Sequence, residues 1–455
     1  MTLILNFFLA KNSFGARISL IRDAQTEKFL SELSEPIFRA ANLDPENIKL
    51  YIVNDNSINA FVSGGQNVFI NTGLIRKFST PDALIGVMAH ETGHIAAGHL
   101  ARSSEGAEQA TGALLLSYLL GIGAVVAGSP EAGMAIITGG SNSAQRLYMK
   151  YTRNQEEAAD GHAIHYLDKI AYPASGLVSL LEFFDSQLVG YKDFIDEYLL
   201  SHPVSKKRIN LIKNRTKNTK HTNRKINQKL QRSMDIVSAK LEAFIESPDV
   251  ILKNYQNQHD ELANYRKAIA LFRIAQISQS LVLLEKIIST NESGKTSAAK
   301  TSELGFLYEL KGQILFESGK IQDSILSYNK AINLLDKHDS SQAKIHLSVG
   351  ILGLKTMDKD LLNLAIRHLE EAKTFESDNP FLFRQLAKAH AKIGNEGESL
   401  LSLAEFNFLI NKKKECLKYA KLAKDKLPKN DKVNLLRADD LVELVKDDIK
   451  EKSRD

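Results

Sequence analysis

The segment His90-Glu91-Thr92-Gly93-His94 gives the strongest chemical signal in this sequence. It lies inside a predicted helix that begins at Thr80-Pro81-Asp82 and runs to Leu100, with small apolar residues next to the motif. Two histidines four residues apart share one helical face and can both reach a single Zn²⁺, while Glu91 projects beside them to accept a proton from water. The spacing therefore predicts a zinc hydrolase site, and scattered histidines on a surface helix are the alternative.

A catalytic zinc site needs a third protein ligand, and a later polar helix offers one. The segment Glu156-Glu157-Ala158-Ala159-Asp160 places two carboxylates four residues apart on one face, next to alanines that allow close helix packing. We expect Glu156 to bind the metal and Asp160 to hold the remaining ring nitrogen of a liganding histidine. Taken alone, such a cluster is more typical of a solvated acidic face.

The composition limits which kinds of site and partner are available. The chain has 455 residues, 43% hydrophobic and 25% charged, as in ordinary globular proteins of more than one domain. Its single cysteine, Cys416, excludes an internal disulfide and a thiolate zinc cluster, so a metal site must use histidines and carboxylates. The net charge of +5 is mild, and the basic stretch over residues 206–232 lacks aromatic residues for base stacking. We therefore expect no nucleic acid partner.

Hydropathy patterns predict one helix and then a small sheet ahead of the motif. Apolar residues recur at helical spacing from Asp23 to Ala41, and Leu43-Asp44-Pro45 ends that helix. Ile48 to Val53 and Asn67 to Asn71 are rich in β-branched and aromatic residues and are bounded by Asn, Asp and Gly, which is typical of strands.

The last third of the chain predicts helical repeats. Over residues 262–444, breaks rich in Gly, Asn, Asp and Pro separate runs of about fourteen to eighteen residues, the scale of helical hairpins. Ala387 and Gly394 are echoed by Ala404 and Asn411 seventeen residues later, half of the tetratricopeptide period of about 34 residues. An unrelated helical bundle is the alternative. The predicted fold class is α+β and mostly helical, with a small sheet near the motif and an all-α repeat domain after it.

Two apolar segments bear on localisation. Thr2 to Ala10 is similar to the core of an export signal, although no basic residue precedes it, and a buried N-terminal segment is the alternative. Residues 110–130 carry no charge and are long enough to span a bilayer, but one crossing would separate His90 from Glu156, and residues 132–145 are short for a return. We expect a helical hairpin that packs over the domain carrying the motif or contacts a membrane surface, with a two-span insertion as the alternative.

Several motifs together resemble the zinc metalloproteases related to HtpX and the CAAX prenyl proteases. The resemblance begins with the histidine motif and with Ser57-Ile58-Asn59-Ala60-Phe61 and Gly73-Leu74 ahead of it. It continues with Tyr151 and Arg153 before the acidic segment 156–160. Further along the chain it includes Ser201-His202-Pro203 followed by Arg208-Ile209.

This resemblance implies a gluzincin-type peptidase with one Zn²⁺ per chain, His90, His94 and Glu156 as ligands and Glu91 as general base. It further implies that His202 is a fourth ligand or a regulatory switch that restrains activity. Arg208 corresponds to the arginine that the family carries downstream of that histidine.

The architecture is similar to periplasmic members of the family in which tetratricopeptide-like helices follow the protease domain and which act in β-barrel assembly. We predict a signal-like segment over residues 1–16 and a zinc metalloprotease domain over residues 17–213. A basic linker with a connecting helix is predicted over residues 214–261, the repeat domain over residues 262–446 and a charged tail over residues 447–455.

The implied function is a zinc endopeptidase that cleaves misfolded or misassembled outer-membrane proteins in the bacterial periplasm. We expect strand Asn67 to Asn71 to pair with extended substrates, and the repeats to bind clients or the barrel-assembly machinery. One alternative is a chaperone or assembly factor with latent proteolysis, and another is a membrane-inserted protease like HtpX.

Three further histidines are not expected to bind the metal. On a continuous helix, His99 would point about 140° away from His94. His162 and His165 follow an acidic segment that already completes the ligand set, which favours a structural role.

Overall fold

The computed structural model of the chain describes residues 19–99, 152–190, 202–217, 221, 224, 227–293 and 298–451. Residue contacts divide the chain into two compact units: the first holds the chain up to Ile245 except residues 23–25, and the second holds those three residues and the chain from Glu246 onward. The signal-like segment 1–16 and the uncharged segments 110–130 and 132–145 lie outside the described residues. Within the described ranges, no helix combines the length and the apolar character needed to cross a membrane.

The first unit is an α+β structure with one small sheet, as the hydropathy patterns predict. Its strands are β1 (Leu20–Ile21), β2 (Lys49–Val53), β3 (Ala60–Ser63) and β4 (Asn67–Asn71). Its helices are α1 (Ala24–Ala40), α2 (Thr72–Lys77), α3 (Pro81–Ala96), α4 (residues 152–169), α5 (Ser175–Gly190), α6 (Lys206–Thr216) and α7 (Gln228–Ile245).

The sheet has the strand order β1-β2-β4-β3. Strand β4 pairs in parallel with β2 and antiparallel with β3, so both of its edges are occupied by other strands. The expectation that Asn67–Asn71 pairs with substrate is therefore wrong, because an interior strand has no free backbone groups to offer. Among the described strands, β3 is the edge beyond β4.

The two faces of the sheet differ in chemistry because side chains alternate along each strand. Ile52, Ala60, Val68 and Ile70 point to the inner face and belong to the hydrophobic core of the first unit. The core is completed by apolar side chains of the surrounding helices, among them Leu30 of α1, Leu84 and Met88 of α3, Leu167 of α4, and Leu180 and Phe184 of α5. The core therefore surrounds α3 and holds it in place.

Helix α5 crosses α3 at a point where there is no space for a side chain. A Cβ atom at Gly86 would lie 2.5 Å from the backbone nitrogen of Leu177. The glycine therefore lets the two backbones approach, and α3 is packed by α5 as well as by the sheet strand β3.

Residues 228–245, which the charge pattern places in a connecting region, form α7 of the first unit. Met234, Val237 and Leu241 of this helix are buried in the same core as α3. Their spacing of three and four residues is that of an amphipathic helix, although the basic stretch over residues 206–232 runs into its first turns. The first unit thus extends past residue 213.

The second unit is all helical within the described ranges, as the sequence predicts. Its helices pack mainly on their neighbours in the sequence. They are α8 (Pro248–Asn254), α9 (Glu261–Arg273), α10 (Ile277–Ser293), α11 (Ala298–Glu317), α12 (Ile321–Leu334), α13 (Gln342–Gly353), α14 (Lys359–Phe375), α15 (Pro380–Ile393), α16 (Glu396–Leu409), α17 (Lys413–Lys426) and α18 (Lys432–Glu451).

One hydrogen bond recurs in three of these helical hairpins. A serine hydroxyl near the start of the second helix donates to a backbone carbonyl of the first helix, twelve residues earlier in the chain. The pairs are Ser280 to Ala268 at 2.7 Å, Ser324 to Gly312 at 2.7 Å and Ser399 to Ala387 at 2.9 Å. The acceptors are small residues, which lets the two helices of each hairpin approach closely.

Candidate metal centre

Helix α3 presents its motif to the interior of the first unit. Pro81 occupies its first turn, where the missing N–H costs no hydrogen bond, and residues 83–93 are all buried. His90 has no exposed surface and Glu91 is 1% exposed. These histidines are therefore not on a solvent-facing helix, which excludes the surface alternative.

Helix α4 lies against α3 at Gly93, inside the motif. A Cβ atom at this position would lie 2.8 Å from the carbonyl oxygen of Ala159, so only glycine permits the observed approach. Glu156 and Asp160, one on each side of this contact, are 3% and 0% exposed. The acidic segment thus faces the histidine motif instead of forming a solvated face.

Four side chains from three parts of the chain form one compact group: His90, His94, Glu156 and His202. Each offers a ligand atom, and these atoms all lie within 4.8 Å of one another. The Nε2 atoms of His90 and His94 are 3.1 Å apart, and each lies 3.3 Å from a carboxylate oxygen of Glu156. His202 Nδ1 lies 3.0 Å from Glu156 Oε1 and 3.3 Å from His90 Nε2. Neutral imidazoles and a carboxylate are ligands that suit zinc.

Asp160 and Arg208 lie directly behind this group. Asp160 Oδ1 is 3.0 Å from His90 Nδ1, the ring nitrogen that faces away from the other three side chains. Arg208 donates to both oxygens of Asp160, from Nε at 2.5 Å and from Nη2 at 2.9 Å. Its Nη1 also lies 2.8 Å from Glu156 Oε2. One guanidinium therefore ties together the two carboxylates that the sequence singled out.

The carboxylates of Glu156 and Asp160 are both held in their ionised form. Burial would raise the pKa of Glu156, but the charges and hydrogen bonds of His202 and His90 outweigh it and hold this pKa below its usual range. Burial opposes ionisation of Asp160 too, yet the hydrogen bonds from Arg208 and His90 lower its pKa to about 2. Both groups are therefore anionic at neutral pH, as a metal ligand and its support require.

Glu91 has the opposite tendency, since burial raises its pKa above the ordinary glutamate value. Its Oε1 lies 3.4 Å from His202 Nε2 and, among the described residues, accepts no hydrogen bond. A carboxylate with a raised pKa and an unsatisfied oxygen beside the ligands is suited to accept a proton and release it again.

The two motif histidines also titrate differently. Burial would lower the pKa of His90, but its hydrogen bonds to Asp160 and Glu156 raise it to about 9. Burial lowers the pKa of His94 to about 3. In the protein without metal, His90 thus holds a proton at the place where a cation would bind, and His94 is neutral.

The structure overturns the expected direction of His99. Helix α3 ends at Ala96, Gly98 has a positive φ of 64°, and the chain turns back. His99 Nδ1 consequently lies 2.9 Å from His94 Nδ1, although His99 does not belong to the four-residue group. The glycine at position 98 was the sequence signal for this turn, because glycine commonly follows the end of a helix.

His162 and His165 are exposed on α4 and lie outside the group. His162 Nδ1 lies 3.4 Å from the Tyr166 hydroxyl, and the ring of His165 lies 5.9 Å from that of Tyr166.

Comparisons with known proteins agree with this arrangement. Residues 23–216 match the model of Peptidase family M48. Over 196 residues the chain is 30% identical to the β-barrel assembly-enhancing proteases of Escherichia coli (strain K12) and of Shigella flexneri, and each match covers 43% of this chain and 40% of the relative. Over 205 residues it is 30% identical to the β-barrel assembly-enhancing protease of Yersinia pestis, covering 45% of this chain and 42% of the relative.

These alignments thus span less than half of each relative. The residues that match the family model contain the histidine motif, the acidic segment and His202. Over residues 23–216, this chain therefore has the sequence pattern of Peptidase family M48 together with a candidate set of metal ligands.

Proposed function

We propose that this chain is a zinc endopeptidase for quality control of outer-membrane proteins in the bacterial periplasm. The observation that carries the proposal is the buried group of His90, His94, Glu156 and His202, with Glu91 beside it. The name of the relatives, β-barrel assembly-enhancing protease, supports the choice of outer-membrane clients. The signal-like segment 1–16 is consistent with a periplasmic location.

The site fits a divalent cation by donor chemistry and by charge. His90, His94 and Glu156 would hold one zinc ion per chain. With every group ionised, the site has a net charge of two negative units, which a divalent cation would balance. Three carboxylates and one guanidinium contribute to it: Glu91, Glu156, Asp160 and Arg208. Bound zinc supplies Lewis acidity that polarises a peptide carbonyl and makes water more acidic.

Glu91 moves the proton during peptide hydrolysis in this proposal. Its free Oε1 accepts a proton from the attacking water, and the raised pKa lets the resulting carboxylic acid form and later donate to the leaving amine. Asp160 and Arg208 do not touch substrate. They keep His90 and Glu156 in place, because Asp160 fixes the His90 ring and Arg208 binds both carboxylates.

His202 restrains this activity. Its ring lies between Glu156 and Glu91, 3.0 Å from the former and 3.4 Å from the latter, where water and the scissile carbonyl must enter. As a fourth ligand it would occupy the position that a catalytic zinc site keeps open for water. Cleavage therefore requires His202 to leave the group, and the protease is latent until it does.

Strand β3, rather than β4, is the place where we propose that an extended substrate adds to the sheet. It is the edge beyond β4 among the described strands, and it contacts the motif helix α3. Backbone hydrogen bonds at a strand edge recognise an extended segment largely independently of its sequence, which suits clients that have failed to fold.

An aromatic row on the outer face of the sheet ends at this edge. Phe69 stacks on Tyr51 of β2 and on Phe61 of β3, with ring centroids 5.0 Å apart in both pairs. A substrate strand beside β3 would place every second side chain next to the row, and one of them would lie beside Phe61. We therefore expect a preference for aromatic or large apolar residues at that substrate position.

The second unit supplies a binding surface for clients or for barrel-assembly partners. Its recurring serine hydrogen bonds and small contact residues support a tetratricopeptide-like repeat over residues 262–446. The chaperone alternative gives this unit the main role and leaves proteolysis latent.

The test measures zinc and cleavage on the same purified full-length protein. We expect about one zinc per chain by mass spectrometry and slow cleavage of casein by wild type, because His202 restrains the site. Glu91→Gln should lose a further factor of about 10²–10⁴ in cleavage, the contribution of a general base, with zinc retained. Glu157→Gln, a half-buried glutamate of α4 whose partner is Lys207, is the matched control and should cleave like wild type. A zinc-free protein, or undiminished cleavage by Glu91→Gln, would refute the proposal.

His202→Ala separates the latent protease from the alternative roles of this histidine. If His202 restrains the site, the variant should cleave casein or itself faster than wild type while keeping its zinc. If cleavage instead disappears, His202 is required for the reaction and the latency proposal fails.

A further inference from the structure

We infer that His99 is a positioning residue for the metal site: it fixes the ring orientation and the tautomer of His94 that zinc binding requires. The inference rests on the proposed zinc site, and it assigns a role to a histidine that helical spacing places on the wrong side of α3.

The end of helix α3 creates the contact. The backbone N–H of Gly98 donates to the carbonyl of Ile95 at 3.0 Å, and the N–H of His99 donates to the carbonyl of His94 at 3.1 Å. With Gly98 at φ +64°, these two bonds form a Schellman motif. This motif brings the side chain after the glycine against the side chain five residues earlier, which here is His99 against His94.

The two rings meet through nitrogen atoms. His99 Nδ1 lies 2.9 Å from His94 Nδ1, and the ring planes are inclined by 72° with centroids 4.9 Å apart. A hydrogen bond between two such nitrogens requires one to carry the hydrogen and the other to offer its lone pair.

The role of His94 Nε2 determines whether His94 Nδ1 or His99 Nδ1 is the hydrogen-bond donor. His94 Nε2 faces the ligand group, 3.1 Å from His90 Nε2 and 3.3 Å from Glu156 Oε1, and must offer a lone pair to a cation. A neutral His94 then carries its hydrogen on Nδ1 and donates it to His99 Nδ1. The opposite tautomer would point a hydrogen into the metal position.

Each motif histidine therefore has its own partner on the side away from the metal. Asp160 contacts Nδ1 of His90 at 3.0 Å, and His99 contacts Nδ1 of His94 at 2.9 Å. The side chain of His94 is 12% exposed, whereas that of His90 is fully buried. Packing alone restrains His94 less, so the contact with His99 matters more for its orientation.

The experiment measures zinc affinity by competition with a chromophoric chelator, using the full-length protein and Zn²⁺ alone as ligand. His99→Ala should bind zinc about 10- to 100-fold more weakly than wild type, the range for losing a partner of a metal ligand. His99→Asn, whose Oδ1 can accept a hydrogen bond near the position of Nδ1, should regain most of the affinity. His165→Ala, an exposed histidine of α4, should bind like wild type.

Thermal unfolding of the metal-free variants separates positioning from a general loss of structure. We expect wild type, His99→Ala and His99→Asn to unfold at similar temperatures without metal. Equal zinc affinity of His99→Ala and wild type would overturn the inference, as would an equally large loss in His99→Asn or a large drop in metal-free stability. A wild type that binds no zinc would refute the proposed metal site itself and this inference with it.

Discussion

Gly93 sets the distance between helices α3 and α4, and Gly93→Ala should therefore weaken the metal site without touching any ligand. The added Cβ would lie 2.8 Å from the carbonyl oxygen of Ala159 and 3.1 Å from its Cα. Both neighbours are backbone atoms, which cannot rotate away as the tip of a side chain can. Either α4 moves outward or α3 does.

The size of the displacement follows from the contact distance. The carbonyl oxygen must move by about 0.6 Å, from 2.8 Å to the 3.4 Å at which contacts become ordinary. Glu156 lies three residues before Ala159 on the same helix and would shift with it. Metal–ligand distances tolerate only about 0.2 Å, so we expect at least a tenfold loss of zinc affinity, with an overpacking cost of about 1–3 kcal/mol.

The assay is chelator competition for zinc together with urea unfolding of the metal-free protein. Gly161→Ala is the matched control, because it lies on α4 and its added Cβ would meet only the guanidinium end of Arg215, at 3.2 Å. This control should keep its zinc affinity and its stability. If Gly93→Ala binds zinc as tightly as wild type, the helix spacing does not determine the ligand geometry and our reasoning about α4 is wrong.

Three further changes test other parts of the structure. Asp160→Asn removes one of the two carboxylates that contact the buried Arg208 guanidinium, so it should lower the free energy of unfolding in urea by about 1–3 kcal/mol and weaken zinc binding. An unchanged unfolding midpoint would contradict this. Phe61→Ala should raise KM several-fold for peptides with aromatic residues, with kcat changing less. If wild type has the same KM for aromatic peptides as for peptides with small residues, the aromatic row does not select substrates. Cys416 has no exposed surface, and burial raises the pKa of its thiol to about 11, so the thiolate is scarce at pH 8. A thiol reagent should therefore label it only after unfolding, and rapid labelling of the native protein would contradict the structure.

Much of the site could be predicted because it depends on helical periodicity. The spacing of four residues determined that His90 and His94 share a face, and the same rule placed Glu156 with Asp160. These are local relations along one helix. His202 and Arg208 carry no local signal of this kind, because tertiary folding alone brings them to α3 and α4, and only the family resemblance pointed to them.

The failures of sequence reasoning have equally specific causes. Strand order is a nonlocal property. Among the described strands, β2 pairs with β4 and β3 lies at the edge, so the pattern of Asn67–Asn71 could show a strand but not its neighbours. His99 was assigned a direction on a helix that had already ended. The first unit extends past residue 213 because α7 has a buried apolar face, although the basic stretch over residues 206–232, which runs into α7, is typical of a linker.

Zinc K-edge X-ray absorption of the full-length protein tests the central claim most directly. We predict a first shell of nitrogen and oxygen atoms only, at about 2.0–2.2 Å, with outer scattering from at least two imidazoles, because His90, His94 and Glu156 are the proposed ligands. The shell should lose an oxygen contribution or the zinc itself in Glu156→Ala. A protein that retains no zinc, or a shell containing sulfur at about 2.3 Å, would contradict the account.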